Sequence, residues 1–145
     1  MIKIEESIVV NRPIEEVFAY IADTEKMPQW AAEVVDAKKT SEGPVGVGTT
    51  LTIAVKILGR RVENTHEVTM FVPNSKFAFK TTSGPIPSVA TESVEAVEGG
   101  TRFSIVAEAE PGGFFKLAEP IVERMIQRQW GTNIVNLKDL LESQT

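Results

Sequence analysis

The chain of 145 residues is long enough for one domain with a buried core, and its composition (42% hydrophobic, 24% charged) is that of a soluble globular protein. Its 20 acidic and 15 basic residues give a net charge of −5, which disfavours nucleic acid as a partner, because phosphate binding needs a concentrated basic face. The absence of cysteine excludes disulfides, thiolate catalysis and cysteine-ligated metals. No apolar signal core begins the chain, and no apolar run approaches the ~20 residues of a membrane span, so we expect a cytoplasmic protein with no stable membrane insertion.

The first thirty residues predict one strand followed by two short helices. Ile2 to Val10 alternates and indicates a strand. Pro13 then suits the first turn of a helix, because its missing N–H costs nothing there. Apolar residues follow at i, i+3, i+4 and i+7 and form one stripe: Ile14, Val17, Phe18 and Ile21. Asp23 and Thr24 end this helix and cap a second short one that leads to Trp30.

From Glu33 to Glu110 the period changes to that of strands. Six are predicted: Val34 to Lys39, Thr50 to Ile57, Val62 to Val72, one containing Phe77 and Phe79, Val89 to Val97, and Thr101 to Glu110. Short turns join them, with a tight hairpin at Leu58-Gly59-Arg60 and another at Glu98-Gly99-Gly100. Successive short connections predict an antiparallel meander.

One long helix is predicted to close the chain. Pro111-Gly112-Gly113 breaks the last strand, and Phe114 to Leu141 is apolar at helical spacing. Pro120 lies inside this pattern and predicts a kink or a late start of the helix. Since no repeat or linker divides the chain, residues 1–145 are predicted to form a single α+β domain.

The order and spacing of these segments resemble those of a known superfamily. The resemblance rests on five stretches: Val10 to Phe18, Ile21 to Asp23, Pro28 to Trp30, Gly99 to Arg102, and Asn136 to Glu142. They are similar to the START-like (SRPBCC) superfamily, and within it to the polyketide cyclase/dehydrase-type branch. The resemblance implies a helix-grip fold, in which a curved seven-stranded antiparallel sheet wraps around a long C-terminal helix, with two short helices between strands 1 and 2. It also implies a deep apolar cavity for lipids, sterols, polyketides or similar molecules.

The inward strand positions supply candidate residues for the wall of such a cavity. On the strands these are Leu51, Ile53, Val55, Val68, Met70, Phe77, Phe79, Phe103 and Ile105, and on the helix Leu117, Ile121 and Met125. The alternative is that each simply fills a core, as apolar residues do in every globular domain. The collective pattern favours a cavity, because a curved sheet and a single helix do not close easily on each other.

His66 is the only histidine, and its strand position places it on the inward face together with Asn64. A histidine there would orient a ligand carbonyl or act as a general base. Glu92 is expected to face inward as well and to form a dyad with His66. The alternative is a histidine hydrogen-bonded within the sheet, with Glu92 in solvent. Arg128 would reach the cavity mouth to meet a carboxylate or enolate, or else lie on the solvated side of the helix.

Other chemistries have no support in the sequence. One histidine, no cysteine and scattered carboxylates give no metal-ligand spacing, and no serine lies in a nucleophile motif, so no metal and no cofactor are expected. Two Gly- and Pro-containing segments, Ser83 to Ser88 and Pro111 to Phe115, are predicted as lids, the second with an exposed Phe114-Phe115 pair that would touch a membrane or partner.

The preferred functional hypothesis is a cytoplasmic protein, monomeric or homodimeric, that binds or carries a hydrophobic small molecule (a lipid, polyketide or aromatic compound) without turnover. The alternative is a polyketide cyclase/aromatase-type enzyme in which His66, with Glu92, moves protons. Only some members of the superfamily are enzymes and they share no catalytic motif, so the resemblance assigns no catalytic residue. A third hypothesis, a protein-interaction module that uses the curved sheet, would require a filled interior.

Overall fold

The computed structural model describes residues 1–144, except for the side chain of Phe114. Within these residues one antiparallel sheet contains seven strands: β1 (Ile2–Val10), β2 (Val34–Lys39), β3 (Thr50–Ile57), β4 (Arg60–Val72), β5 (Lys76–Ser83), β6 (Ser88–Val97) and β7 (Gly100–Ala109). The strands lie in the order β1-β7-β6-β5-β4-β3-β2, so β2 to β7 form a meander and β1 pairs with β7. The curled sheet and its long last helix confirm the predicted α+β helix-grip fold.

The helices lie between β1 and β2 and after β7. They are α1 (Ile14–Ala22), a 3₁₀ helix (Thr24–Gln29), α2 (Phe114–Leu117) and α3 (Glu119–Ser143). Of the two short helices predicted after β1, the second is therefore a 3₁₀ helix, which contains Pro28. Pro13 precedes α1 as its N-cap residue, and the acidic Glu15 and Glu16 follow in the first turn, where the helix dipole favours them. None of the described helices is both long and apolar enough to cross a bilayer.

Polar contacts hold the end of α3 against β1 and against the segment that precedes α1. The Arg12 guanidinium donates to the carbonyl oxygens of Glu142 and Gln144, each at 2.6 Å. Lys138 donates to the carbonyl oxygen of Val9 at 2.9 Å and to the Glu142 carboxylate at 2.6 Å. The Arg12 contacts occupy carbonyls at the end of α3 that have no partner within the helix, and the Lys138 contact attaches α3 to β1.

The predicted final helix is interrupted near its start. The chain forms the short α2, turns at Ala118, and begins α3 at Glu119, with Pro120 in its first turn. This is the late start that the proline predicted, since proline is tolerated where no N–H donor is needed. The interruption changes which residues of this region face the sheet.

A β-bulge shifts the alternation in β4. The register between β4 and β5 slips between Val68 and Met70. After the slip, Met70 is 41% exposed, whereas Phe71 turns inward and packs edge-on against Phe18 and Phe77. A bulge inserts one residue into the strand, so every later side chain changes face.

Two apolar clusters pack between the sheet and the helices. The larger one contains Trp30, which meets Phe103 and Trp130 edge-on with ring centroids 6.2 and 5.7 Å apart. The smaller cluster comprises Ile2, Ile57, Val62, Ile86, Phe115 and Val122. A cavity lined by residues of both clusters lies between them.

Candidate functional site

The cavity has a volume of about 210 Å³ and lies between the concave face of the sheet and α3. The cavity arises because some of the paired inward residues of β6 and β7 are small. Small side chains face each other in two successive pairs, Ser88 with Ala109 and Ala90 with Ala107. Further along the same strands the inward pair is Val94 with Phe103, and both side chains are buried in the larger cluster. The space therefore exists where methyl and hydroxymethyl groups replace larger side chains.

The mouth of the cavity lies between α3 and the beginning of β2. Among the residues that line the cavity, Lys56 is exposed and Met125 is 38% exposed, whereas Glu33, Gln129 and Trp130 are half-buried. Most of the other lining residues are buried, so the cavity is most exposed at this rim.

The rim is held by a hydrogen-bond network centred on Asn133 of α3. Its Nδ2 donates to Glu33 Oε2 at 2.8 Å, and its Oδ1 accepts from the backbone N–H of Ala32 at 3.1 Å and from Gln129 Nε2 at 3.0 Å. Burial raises the pKa of Glu33, and the hydrogen bond from Asn133 opposes that rise. The sequence analysis did not identify these residues. The sequence feature that could have identified them is Asn133, a polar residue next to Ile134 in the stripe of α3 that faces the sheet.

His66 lies on the inward face of β4 and lines the cavity. Its Nδ1 is 3.3 Å from Thr81 Oγ1, which also accepts the backbone N–H of Ser88 at 3.0 Å. The imidazole packs edge-on against Phe79 with a centroid distance of 5.4 Å. Burial lowers the pKa of His66 to about 4, so the ring is neutral near pH 7. Its Nε2 has no hydrogen-bond partner among the described residues.

Glu92 lies on the inward face of β6, between Phe77 of β5 and Ile105 of β7. It is 1% exposed and lines the cavity at the boundary between the small-residue pairs and the larger cluster. Its Oε1 has no hydrogen-bond partner among the described residues. Burial raises the pKa of Glu92 to about 8, so this side chain is an uncharged carboxylic acid near pH 7.

His66 and Glu92 both face inward, but they do not form the predicted dyad. On the intervening strand β5, His66 lies opposite Thr81, whereas Glu92 lies opposite Phe77. Four residues of strand separate these positions by roughly 13 Å along the strand direction. No hydrogen bond or ion pair joins the two side chains in the described part of the chain. The two groups therefore act on different parts of the cavity.

The loop between β5 and β6 forms a wall that is attached to β4. Asn64 Nδ2 donates to the carbonyl oxygen of Ile86 at 2.9 Å, and Ile86 is buried and lines the cavity. Gly84 has φ +135°, and a Cβ added there would overlap Asn64 Oδ1. Asn64 Oδ1 has no hydrogen-bond donor among the described residues and packs against the backbone of Gly84. Asn64 therefore positions the segment that was predicted as a lid.

The residues predicted to bind the ligand divide into three groups. Seven of them line the cavity along with Glu92: Ile53, Val55, Asn64, His66, Phe79, Ile105 and Met125. Another four are buried in the larger cluster and do not line the cavity: Leu51, Val68, Phe77 and Phe103. The remaining four are exposed: Met70, Leu117, Ile121 and Arg128.

The inward placement of Met70, Leu117 and Ile121 was wrong, and each case has a local cause. Met70 follows the bulge in β4. Leu117 ends α2 and is 88% exposed, because the chain turns at Ala118. Ile121 is 62% exposed, since the new start of α3 turns Val122 inward in its place. Arg128 lies on the solvated side of α3, which was the alternative placement.

The predicted exposed pair of phenylalanines is also corrected. Phe115 is buried in the smaller cluster, because α2 packs it between the sheet and α3. The side chain of Phe114 lies outside the described residues. No group of three or more acidic, histidine or cysteine side chains within the described residues is placed to hold a metal ion.

Comparisons with known proteins agree on the architecture. The family model described as "Polyketide cyclase / dehydrase and lipid transport" matches residues 1–142. Among solved structures, TTHA0849 from Thermus thermophilus superposes with a TM-score of 0.83 at 16% identity, over 97% of each chain. A START superfamily protein from Mycobacterium smegmatis gives 0.76 at 16% identity, over 100% of each chain.

A third similar structure is the Zhui aromatase/cyclase from Streptomyces sp. R1128. Its TM-score is 0.78 at 13% identity, over 97% of this chain and 93% of that one. At these identities the three structures establish the fold alone. No curated protein sequence matches the chain.

Proposed function

We propose that this protein, which belongs to the polyketide cyclase/dehydrase and lipid transport family, binds a small molecule in the cavity beneath α3. The proposed guest is neutral and mostly apolar. The observation that carries the proposal is the cavity of about 210 Å³, which apolar side chains line and which reaches the surface at one rim. Sites for small molecules are typically of this kind, apolar with few polar groups.

The cavity volume favours a compact guest. An engineered protein cavity of about 150 Å³ holds one benzene molecule. A volume of about 210 Å³ therefore suits one substituted ring or two fused rings. A four-ring sterol or a long acyl chain is larger than this space, so we propose an aromatic or partly reduced bicyclic compound as the guest.

The electrostatics of the cavity favour a guest without charge. His66 is neutral and Glu92 is protonated near pH 7, because burial shifts the pKa of each away from its charged form. Lys56 is the one cationic side chain among the lining residues, and it is exposed at the rim. A carboxylate guest would have no cation to meet inside the cavity, and a buried unpaired charge is costly.

The test is calorimetric titration with tetralin, a ten-carbon bicyclic hydrocarbon. The variant Ala90→Leu places a larger side chain in the cavity and should weaken binding roughly tenfold or more, because the guest and the new side chain compete for one space. Ala96→Leu is the matched control, since Ala96 lies on the same strand but is exposed. An Ala90→Leu variant that binds tetralin as tightly as the wild type would contradict the proposal, and so would wild-type protein that binds neither tetralin nor its ketone 1-tetralone.

A second candidate function is catalysis in the same cavity, as a cyclase/aromatase-type enzyme. The observation that favours it is the unpartnered Nε2 of His66, a donor or acceptor in a cavity lined by apolar groups. In this scheme His66 acts without Glu92, because the strand register separates them. Its lowered pKa makes it a weak base and favours a role in polarising a carbonyl over one in removing a proton.

The catalytic candidate is tested with a synthetic poly-β-ketone that closes to an aromatic ring. His66→Gln should lower the rate of ring formation at least about a hundredfold and leave the dissociation constant of tetralin within roughly twofold. A wild-type protein that binds tetralin but does not accelerate ring closure would leave binding as the function.

A further inference from the structure

We infer that Glu92 donates a hydrogen bond to an oxygen atom of the guest, so that the cavity selects neutral ring compounds that carry a carbonyl group over pure hydrocarbons. This inference rests on the proposed function, because it requires a guest in the cavity. It gives Glu92 a role in specificity that is independent of His66.

The position of Glu92 carries the inference. Its side chain lies where the two pairs of small residues end, so the hollow part of the cavity begins beside it. Its neighbours across the strands, Phe77 and Ile105, offer no hydrogen-bonding side chain. A guest that fills the space above Ala90 and Ala107 therefore comes next to the carboxyl group of Glu92.

Glu92 Oε1 is buried and has no partner among the described residues. Leaving such a group unpaired costs free energy, which is why most buried polar atoms in proteins are hydrogen-bonded. A guest that supplies the missing partner recovers this free energy, whereas a hydrocarbon guest leaves the group unpaired. An exposed glutamate would show no such difference.

The chemistry of the acid determines what the partner is. A carboxyl group that carries its proton has an O–H to donate, and a carbonyl oxygen is its natural acceptor. Burial keeps the proton in place near pH 7, because it raises the pKa of Glu92. A carboxylate guest is disfavoured, because its charge would be buried in the cavity without a cation to pair with.

The other ionisable groups that face the cavity come from three different elements. They are His66 on β4, Glu33 just before β2, and Lys56 on β3. The residues that α3 contributes to the lining, Met125, Ile126, Gln129 and Trp130, are not ionisable. No ion pair to Glu92 is present in the described part of the chain, so its proton is governed mainly by burial.

The experiment compares two guests with the same ring skeleton, 1-tetralone and tetralin, by calorimetric titration at pH 6.5. The wild type should bind 1-tetralone roughly five- to tenfold more tightly, the range that one net hydrogen bond provides. Glu92→Leu should bind both guests with similar affinity, and Glu92→Gln, whose amide still donates, should retain most of the preference. Glu95→Gln, an exposed position on the same strand, should behave as the wild type.

A pH series separates a hydrogen-bond donor from a merely structural side chain. Above pH 8 the five- to tenfold preference of the wild type for 1-tetralone over tetralin should be lost, because an ionised Glu92 has no proton to donate. Glu92→Gln should show no such loss.

Four results would count against the inference. A preference for 1-tetralone that persists in Glu92→Leu, or a wild-type protein without a preference, would overturn the role of Glu92 while the proposed function stands. A wild-type preference for 1-tetralone that stays constant from pH 6.5 to 9.5 would overturn it likewise. Failure of both guests to bind would overturn the proposed function and this inference together.

Discussion

The concave face of the sheet contains a filled region and a hollow region on the same two strands. In the filled region Val94 of β6 faces Phe103 of β7, and both are buried in the larger apolar cluster. In the hollow region, four residues away on each strand, Ala90 faces Ala107 and both line the cavity. Backbone pairing is continuous through both regions, so side-chain size alone separates a packed core from a binding space.

The two regions also differ in their polar groups. The filled region is made of apolar side chains such as Phe77, Phe103 and Leu137. The hollow region is lined by His66 and Glu92, whose pKa values are shifted by burial, and by Asn64, which also holds the loop between β5 and β6. Stability is therefore expected to depend most on the filled region, and ligand recognition on the hollow one.

The largest expected effect is loss of packing in the filled region. Phe103→Ala should lower the free energy of unfolding by about 4 kcal/mol, because Phe103 is fully buried and packs against Trp30. Phe79→Ala should cost only about 2 kcal/mol, since Phe79 already borders the cavity and has fewer packing partners on that side. Urea denaturation measures both values. Equal losses would mean that the two regions are packed alike.

A smaller effect is expected from ionisation in the hollow region. The pKa of Glu92 is raised from 4.5 to about 8, so between these values the folded protein holds a proton that the unfolded chain releases. Its contribution to stability is complete below pH 4.5 and is lost as the pH rises to about 8. From pH 6.5 to 8 the free energy of unfolding should fall by roughly 2 kcal/mol.

His66 has the opposite effect on the free energy of unfolding, which it lowers as the pH falls below this range. Its pKa is lowered from 6.5 to about 4, so its contribution is lost as the pH falls through that range. Urea denaturation at several pH values should therefore show that Glu92→Gln removes the fall above pH 6.5 but keeps the one at acid pH. If Glu92→Gln and the wild type respond identically from pH 6.5 to 8, Glu92 is ionised in the folded state.

The smallest effect is expected on the surface beside the rim. Ile121→Ser should change the free energy of unfolding by less than about 0.5 kcal/mol and leave the affinity for tetralin unchanged, because Ile121 is exposed and does not line the cavity. Thermal unfolding and the tetralin titration check this. A large loss of affinity would mean that the cavity extends over this side of α3.

The sequence was sufficient to predict the order of the elements and the helix-grip fold. Hydrophobic periodicity is local, so the strand from Thr50 to Ile57 and the late start at Pro120 could be inferred from neighbouring residues alone. The inward orientation of His66 also follows from strand alternation, because the pairing of β4 with β3 is regular through His66.

Tertiary structure alone decided which inward residues meet and where space remains. The bulge after Val68 and the register that separates His66 from Glu92 arise from the pairing of one strand with another, which no local pattern encodes. The cavity likewise depends on small residues of β6 lying opposite small residues of β7. The sequence therefore determined which faces are apolar, and packing between strands determined which of them are filled.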